Sequence, residues 1–428
     1  MKIKIQLRMP SSPWQRFEEW SLFVFLLFLP ATIVMPTAVH KLTNLLGYAL
    51  TLFVCLRHGR KLLSVSLKDV LLLSMVLLAV FSISWAASPE FTTTKVRALL
   101  RTTILSVYFA AFYTPIEQRK FISKILVVWG AASLLAALIP GYGIVSAGKH
   151  AGNLVGIFSF KNSLGGYMAL AAIMSLATLI ANKENLEERY SWMHRGVLVV
   201  ASIMVLLSGS KTSIAALAIS LCVVPFYLFS RYSFRIKVLL YLLGAGIGTG
   251  AVVLVAANVE TIVVDWLGKD LSLTGRLPLW QAIIRQGMER PWLGYGHGGF
   301  WNTEYALNAA FENQWPRLPN TGLYLEGMHS HNGFIEIFLQ LGLIGLALSV
   351  VHFLIIFSRL FIMACIKKDL ERLWMLQTLL LMSVVNFSEA GSILEPSNIL
   401  WVLYVSMSLS FMYHAVPKPM PYMKVSPA

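Results

Sequence analysis

The sequence is poor in charge: Asp, Glu, Lys and Arg supply 13% of its 428 residues, against roughly 25% in an ordinary soluble domain. Hydrophobic residues reach 57% and mean hydropathy is +0.68, more apolar surface than a water-soluble core can hide. Cysteine is scarce too. Cys55, Cys222 and Cys365 fall in apolar blocks or near their basic ends, so no disulfide framework holds the loops. There is no G-x-S-x-G nucleophile elbow, no P-loop, no Rossmann fingerprint and no D-x-D pair for a divalent metal. The net charge of +15 comes from dispersed Lys and Arg without interleaved aromatics, which excludes a nucleic-acid partner.

What is present is a series of apolar blocks long enough to cross roughly 30 Å of hydrocarbon as helices. Expected spans are 20–36, 42–56, 70–87, 98–114, 121–139, 165–181, 196–208, 213–230, 236–258, 333–357, 373–388 and 397–413. The first follows Lys2, Lys4, Arg8 and Arg16 without a small-x-small cleavage site, and reads as an uncleaved span. The fold class is therefore all-α, a polytopic membrane protein of about twelve transmembrane helices. Residues 1–258 carry spans one to nine, 259–332 form one large external loop, and 333–428 carry spans ten to twelve and a tail.

The N-terminus, the even-numbered loops and the C-terminus hold most of the 35 Lys and Arg, including Arg57, Arg60, Lys61 and Lys68. Positive charge is retained on the cytoplasmic side, so both termini are expected there and the long loop outside. Within that loop Leu277 to Met288 has helical apolar spacing and is followed by Pro291 and several glycines. Trp301 to Asn320 reads as irregular, and no internal repeat is evident.

Polar groups are expensive in a bilayer, so their clusters mark candidate sites. Four fall at the outer face: Lys161-Asn162-Ser163; the Ser208 to Ser213 hairpin with Ser210, Lys211 and Thr212; Thr274-Gly275-Arg276; and His329-Ser330-His331-Asn332. Arg97 and Arg101, four apart on one helical face, add cations near the same side. Bland readings exist for several. Lys161 at a span end can snorkel to headgroups, and Gly165, Gly166, Gly342 and Gly345 can serve close helix packing. Lys211 among hydroxyls suits phosphate oxygens better than lipid tails.

Two alternating histidines can bind zinc, but the nearby sequence offers no clear third ligand beyond Glu326 or distant His297. Acid/base work suits them better, because imidazole ordinarily titrates near neutral pH. Asn332 is placed to cap span ten and to orient His331. Base plus cations, without metal or cofactor, suits transfer of a group from a lipid-linked diphosphate: Arg276 and Lys211 neutralise the leaving group, and His331 takes the proton of the attacking hydroxyl.

At these residues the sequence resembles the O-antigen ligase and polysaccharide polymerase superfamily. The resemblance spans about residues 150–400. It is anchored by His331-Asn332 followed by Gly342 and Gly345, with Ser208 to Thr212, Thr274-Gly275-Arg276, Trp280 and Gly294-Tyr295-Gly296 in support. Phe160 to Gly165 and the Glu389 to Glu395-Pro396 segment look most like exopolysaccharide repeat-unit polymerases of the ExoQ type.

The resemblance implies a GT-C-like membrane glycosyltransferase in the bacterial inner membrane, with its active site at the periplasmic face. It implies metal-independent, inverting transfer from an undecaprenyl-diphosphate-linked glycan. The acceptor is a second glycan, or the lipid A core if the enzyme is a ligase. Membrane lipid is a further partner, and a chain-length regulator is one the resemblance leaves room for. The base carries over onto His331 and the diphosphate-binding cations onto Arg276 and onto Lys211, where relatives often have Arg. Lys161, Asn162, Asn332, His329 and Arg101 join Ser210, Thr212 and Lys211 as substrate-binding candidates, without transferred roles for His329, Lys161, Arg101, Glu389 or Glu395. A transporter for lipid-linked sugars is the rival class. Unbroken spans and polar clusters at one face argue against it.

Overall fold

A computed structural model of the chain describes residues 12–148, 150–183, 191–229, 276–301, 303–306 and 329–413, with isolated positions between 232 and 243. The described residues form helices with two isolated antiparallel bridges, Ile33 with Phe158 and Ile144 with Leu154. In chain order the helices are α1 (Pro13–Leu27), α2 (Thr37–Ser66), α3 (Val70–Phe81), α4 (Pro89–Phe112), α5 (Pro115–Ala137), α6 (Lys161–Lys183) and α7 (Ser191–Leu207). After these come α8 (Lys211–Leu221), α9 (Val223–Phe229), α10 (Arg276–Gly287), α11 (Gly333–Phe361), α12 (Leu370–Ser388) and α13 (Ile399–Tyr413).

Five segments among the described residues are long and apolar enough to cross a membrane: α2, α5, α6, the α8–α9 run and Gly333–Ile366. Val70–Ser84, Ser191–Leu207 and Ile399–Ser410 are apolar but shorter. The chain is a multi-pass helical membrane protein. On α2 the leucines at 42, 45, 52, 56 and 63 recur on one helical face and are all exposed, the outward surface that lipid covers. The opposite case is α6. Leu164, Met168, Leu170, Ile173 and Met174 are fully enclosed, and Ala169, Ala172 and Ala177 let α7, α8 and α12 approach closely.

Every expected span overlaps a helix except 236–258, which lies almost wholly outside the described residues. Several spans differ in extent, with α2 running on to Ser66 and α4 starting at Pro89, and three further differences have a clear local reason. Span one is expected to reach residue 36, yet α1 ends at Leu27. Pro30 and Pro36 each remove a backbone donor, and between them the chain makes a turn, Ile33 N–H donating to Pro30 O at 3.1 Å, and then pairs with the 157–159 segment: Ser159 N–H donates to Thr32 O at 2.7 Å and Val34 N–H to Ile157 O at 2.8 Å. Span three, drawn to 87, leaves α-helix at Phe81 for one 3₁₀ turn, Ser82–Ser84. The third difference is in span ten, which is not the unbroken helix expected.

Gly342 has φ 66° and ψ −166° inside α11, a conformation open to glycine. The loop 291–296 enters at this break. Leu343 N–H donates to Pro291 O at 2.7 Å, and Tyr295 N–H and Gly296 N–H donate to Leu339 O and Gln340 O, each at 2.9 Å. Irregular backbone at this depth is tolerated because loop groups satisfy it. A Cβ at 342 would lie 2.2 Å from the Trp292 carbonyl. The glycine therefore serves a close approach of loop to helix, and one argument raised against a transporter, unbroken spans, does not hold.

Candidate functional site

Four helix ends meet on one carboxylate. Glu389 is the residue that closes α12 at its C-terminus. Its Oε2 lies 3.3 Å from His329 Nε2 and 3.3 Å from His331 Nδ1. Its Oε1 accepts from Asn162 Nδ2, in the first turn of α6, at 2.6 Å and stands 3.6 Å from Arg276 Nη2 at the start of α10. Arg276 Nη1 also donates to Ser388 O at 2.8 Å, answering a carbonyl left open at the end of α12. Burial works against the charged carboxylate, but the hydrogen bonds and charges of His329 and His331 outweigh it and hold Glu389 well below the usual carboxylate range.

The histidine loop is fixed from behind. Asn332 caps α11, as its place in the sequence suggests, with Oδ1 accepting from Phe334 N–H at 3.0 Å and Ile335 N–H at 3.2 Å. Glu336, one turn inside, accepts from Ser330 N–H at 2.9 Å, Trp301 Nε1 at 2.8 Å and Gln340 Nε2 at 2.8 Å. Trp280 Nε1 donates to Ser330 O at 2.8 Å. With Ser330 held this way, His331 is in left-handed backbone at φ 52°, a conformation that costs a non-glycine residue about 1–2 kcal/mol. Its side chain stays about a third exposed, and among the described residues only Nδ1 has a protein partner.

A cavity of about 450 Å³ opens beside this cluster, lined by Asn162, His329, His331 and Glu389 and, elsewhere on its wall, by Lys95, His297 and Glu395. Lys95 Nζ pairs with Glu395 Oε1 at 3.5 Å. His297 is buried, and among the described residues neither ring nitrogen has a partner at hydrogen-bond geometry. Burial pushes its pKa down to about 4, so it is neutral across the physiological range.

The structure separates the remaining sequence candidates. Lys161 Nζ turns away from Glu389, donating to Gly209 O at 3.2 Å beside His150 Nδ1 at 3.2 Å. In the serine hairpin the three serine hydroxyls are taken up by other protein groups. Ser210 caps α8, accepting from Ser213 N–H at 3.3 Å and meeting Ser213 Oγ at 2.8 Å, while Ser208 Oγ donates to Val205 O at 2.7 Å. Ser208, Ser210 and Ser213 are buried, so the turn presents Lys211, which is exposed, and half-buried Thr212 rather than a cradle of hydroxyls. Thr274 and Gly275 lie outside the described residues. Arg101 is buried in a separate, smaller cavity.

Sequence reading missed a role for Glu389 and, with it, the partner of both histidines. Its only local signal is a carboxylate at a helix C-terminus, where negative charge is unfavourable without cations nearby. It also supplies the third ligand thought to be lacking: one atom each from His329, His331 and Glu389 lie within 4.8 Å of one another, a set able to hold a divalent cation. Arg276, 3.6 Å from the same carboxylate, already provides positive charge there.

A multi-pass membrane protein with a histidine, a guanidinium and a carboxylate converging at one end of its helices is the class that fold and site define. Residues 196–350 match the family model described as O-antigen ligase, a stretch that includes Lys211, Arg276, His331 and Gly342 but neither Asn162 nor Glu389. The chain is also similar to the exopolysaccharide production protein ExoQ of Rhizobium meliloti, 28% identical over 311 residues covering 70% of this chain and 67% of that one. The two matches bear out the resemblance to the O-antigen ligase and Wzy-type polymerase superfamily.

Proposed function

We propose that the chain is an inner-membrane glycosyltransferase that polymerises undecaprenyl-diphosphate-linked repeat units into exopolysaccharide or O-antigen, acting at the periplasmic face of a twelve-span topology with both termini cytoplasmic. The observation that carries this reading is the convergence of His331 and Arg276 on Glu389 beside a cavity. The Glu389 carboxylate faces Nδ1 of His331, which favours the tautomer protonated there and leaves the Nε2 lone pair for a substrate proton.

In the step proposed, the acceptor hydroxyl gives its proton to His331 Nε2 as its oxygen attacks the anomeric carbon. The bond from that carbon to the diphosphate oxygen breaks on the opposite face, the configuration inverts, and the electron pair leaves on the diphosphate. Arg276 has five N–H donors. One is given to Ser388 O, and others remain to neutralise the departing anion. Lys211, on the neighbouring α8, adds a point charge. Asn162 holds Glu389 from the α6 side, and Glu336 acts through Ser330 as a positioning residue.

Two measurements test the reading. Purified protein in detergent, supplied with a lipid-linked oligosaccharide, is expected to lengthen it. Lengthening with no membrane to cross is incompatible with a transporter, and its absence overturns the proposal. Loss of the gene is expected to remove long lipid-linked polymer. If long polymer remains but is not attached to the lipid A core, the enzyme is a ligase. The His329, His331 and Glu389 triplet also supports a second, metal-assisted reading, which predicts that a chelator stops transfer and that one divalent ion restores it; the metal-free reading predicts no effect.

A further inference from the structure

We propose that Arg101 forms a second anion-binding subsite, distinct from Arg276, which takes the phosphate group of a second amphiphile. The identity of that amphiphile as the acceptor glycan's lipid carrier rests on the function proposed above; the anion site itself does not.

Arg101 sits on α4, about 18 Å along the helix from its start at roughly 1.5 Å per residue. The residue is 4% exposed. Nη1 donates to Asn44 Oδ1 at 2.7 Å, and the guanidinium lies 4.8 Å from the Tyr48 ring centre and 5.2 Å from that of Phe25. Nε is buried with no hydrogen-bond partner. Among the described residues no carboxylate forms an ion pair with it. Other buried cations of the bundle do have one: Arg119 pairs with Glu371 at 3.1 Å, and Arg372 with Asp369 at 3.4 Å. A buried guanidinium held by one neutral amide and two ring faces leaves most of its desolvation uncompensated.

The surroundings are shaped for this side chain. A Cβ at Gly47 would lie 2.9 Å from Arg101 Cδ and 2.5 Å from Phe25 Cε2, so glycine there makes room for the guanidinium stem on the α2 side. Arg101 faces a cavity of about 190 Å³ whose wall also includes His40, Thr43 and Asn44. This is room for a phosphate and its nearest atoms, with donors available from Arg101, the Asn44 amide and the His40 ring. Ala31 and Ser397 line both this cavity and the larger one containing His331, so the two cavities are neighbours, and a glycan attached to a phosphate at Arg101 would have the base's cavity beside it. In a reaction between two lipid-linked glycans both substrates carry a diphosphate, and Arg276 stands at only one site.

The test uses full-length protein in detergent with His331→Ala to prevent turnover. Native mass spectrometry and ligand-induced change in melting temperature are read for three probes: a short-chain polyprenyl diphosphate, phosphatidylglycerol and inorganic pyrophosphate. Two polyprenyl diphosphates per chain are expected, falling to one when either Arg101→Gln or Arg276→Gln is added. Loss at Arg101 confined to the polyprenyl probe identifies the substrate's phosphate as the source. Equal Arg101-dependent binding of phosphatidylglycerol makes the occupant a bulk lipid headgroup and still supports the subsite.

Unchanged stoichiometry and affinity in Arg101→Gln for all three probes overturns it. Should that variant fail to fold, Arg101→Lys keeps the charge without the fork and is expected to bind the second probe at least about tenfold more weakly; equal binding overturns the proposal. Arg101-dependent binding in a protein whose wild type transfers no glycan would leave the subsite standing while the proposed function fell.

Discussion

Of the clusters that pair histidine with a carboxylate among the described residues, two are built in opposite ways. At the first, His352 of α11 meets Asp69 at 3.0 Å and Tyr404 at 2.8 Å, with Ser408 also bonded to Asp69. All four side chains are buried, and both imidazole nitrogens are engaged. At the second, His329 and His331 meet Glu389 while remaining about one-third exposed beside a cavity, and His331 adopts a strained backbone. The residue types are alike. What differs is whether the protein uses up every polar valence itself, as a structural network does, or leaves one facing a space where a substrate can lie.

That contrast is broken first by His331→Ala. Loss of a general base predicts a fall in transfer rate of about 10³-fold, with the melting temperature in detergent nearly unchanged. Next, Arg276→Lys cannot reach both Ser388 O and an anion through a fork, and is expected to lose about 10²-fold. Lys211→Arg, on an exposed turn, should stay within about twofold, since Arg serves phosphate at least as well. Equal tolerance of the two changes in a steady-state assay would remove Arg276 from the anion site.

The structural cluster predicts the converse behaviour. His352→Ala leaves Asp69 buried without its main partner and is expected to cost about 3 kcal/mol of stability, while rate per folded molecule is kept. A smaller effect is expected at Ser210→Ala. Losing the α8 cap costs about 1 kcal/mol, and transfer is retained if the hydroxyl is structural.

The pH dependence follows from the depressed Glu389 carboxyl. A folded-state pKa below the unfolded value contributes stability above the ordinary carboxylate range, near about 4.3, and loses it as pH falls through that range toward the folded value. Melting temperature should therefore drop more steeply between about pH 5 and pH 3 in wild type than in Glu389→Gln. Parallel curves would mean that the carboxylate is not held by the histidines.

Much of the bundle was legible because lipid imposes long apolar runs on the sequence. The Asn332 cap and the closeness of His331 to Arg276 in space were legible for a different reason, since polar residues in such a chain are few. The break at Gly342 was not, because the glycine makes sense only once the 291–296 loop is known to enter there. Proline 30 did carry the early end of α1, although apolar content masked it. The hydroxyls of 208–213 suggested phosphate binding because composition alone does not reveal that Ser210 and Ser213 satisfy each other. Glu389 comes 58 residues after His331 in the chain, and only packing of α12 against α6 and α11 brings it to the histidines.

The central claim, that His331 removes the acceptor proton, is tested most directly by chemical rescue. Transfer from a lipid-linked oligosaccharide is followed for purified His331→Ala, in the presence of a chelator, as imidazole is added. The account predicts that imidazole restores a substantial part of the rate in this variant and none in Arg276→Lys. Full activity of His331→Ala before any imidazole is added would contradict it.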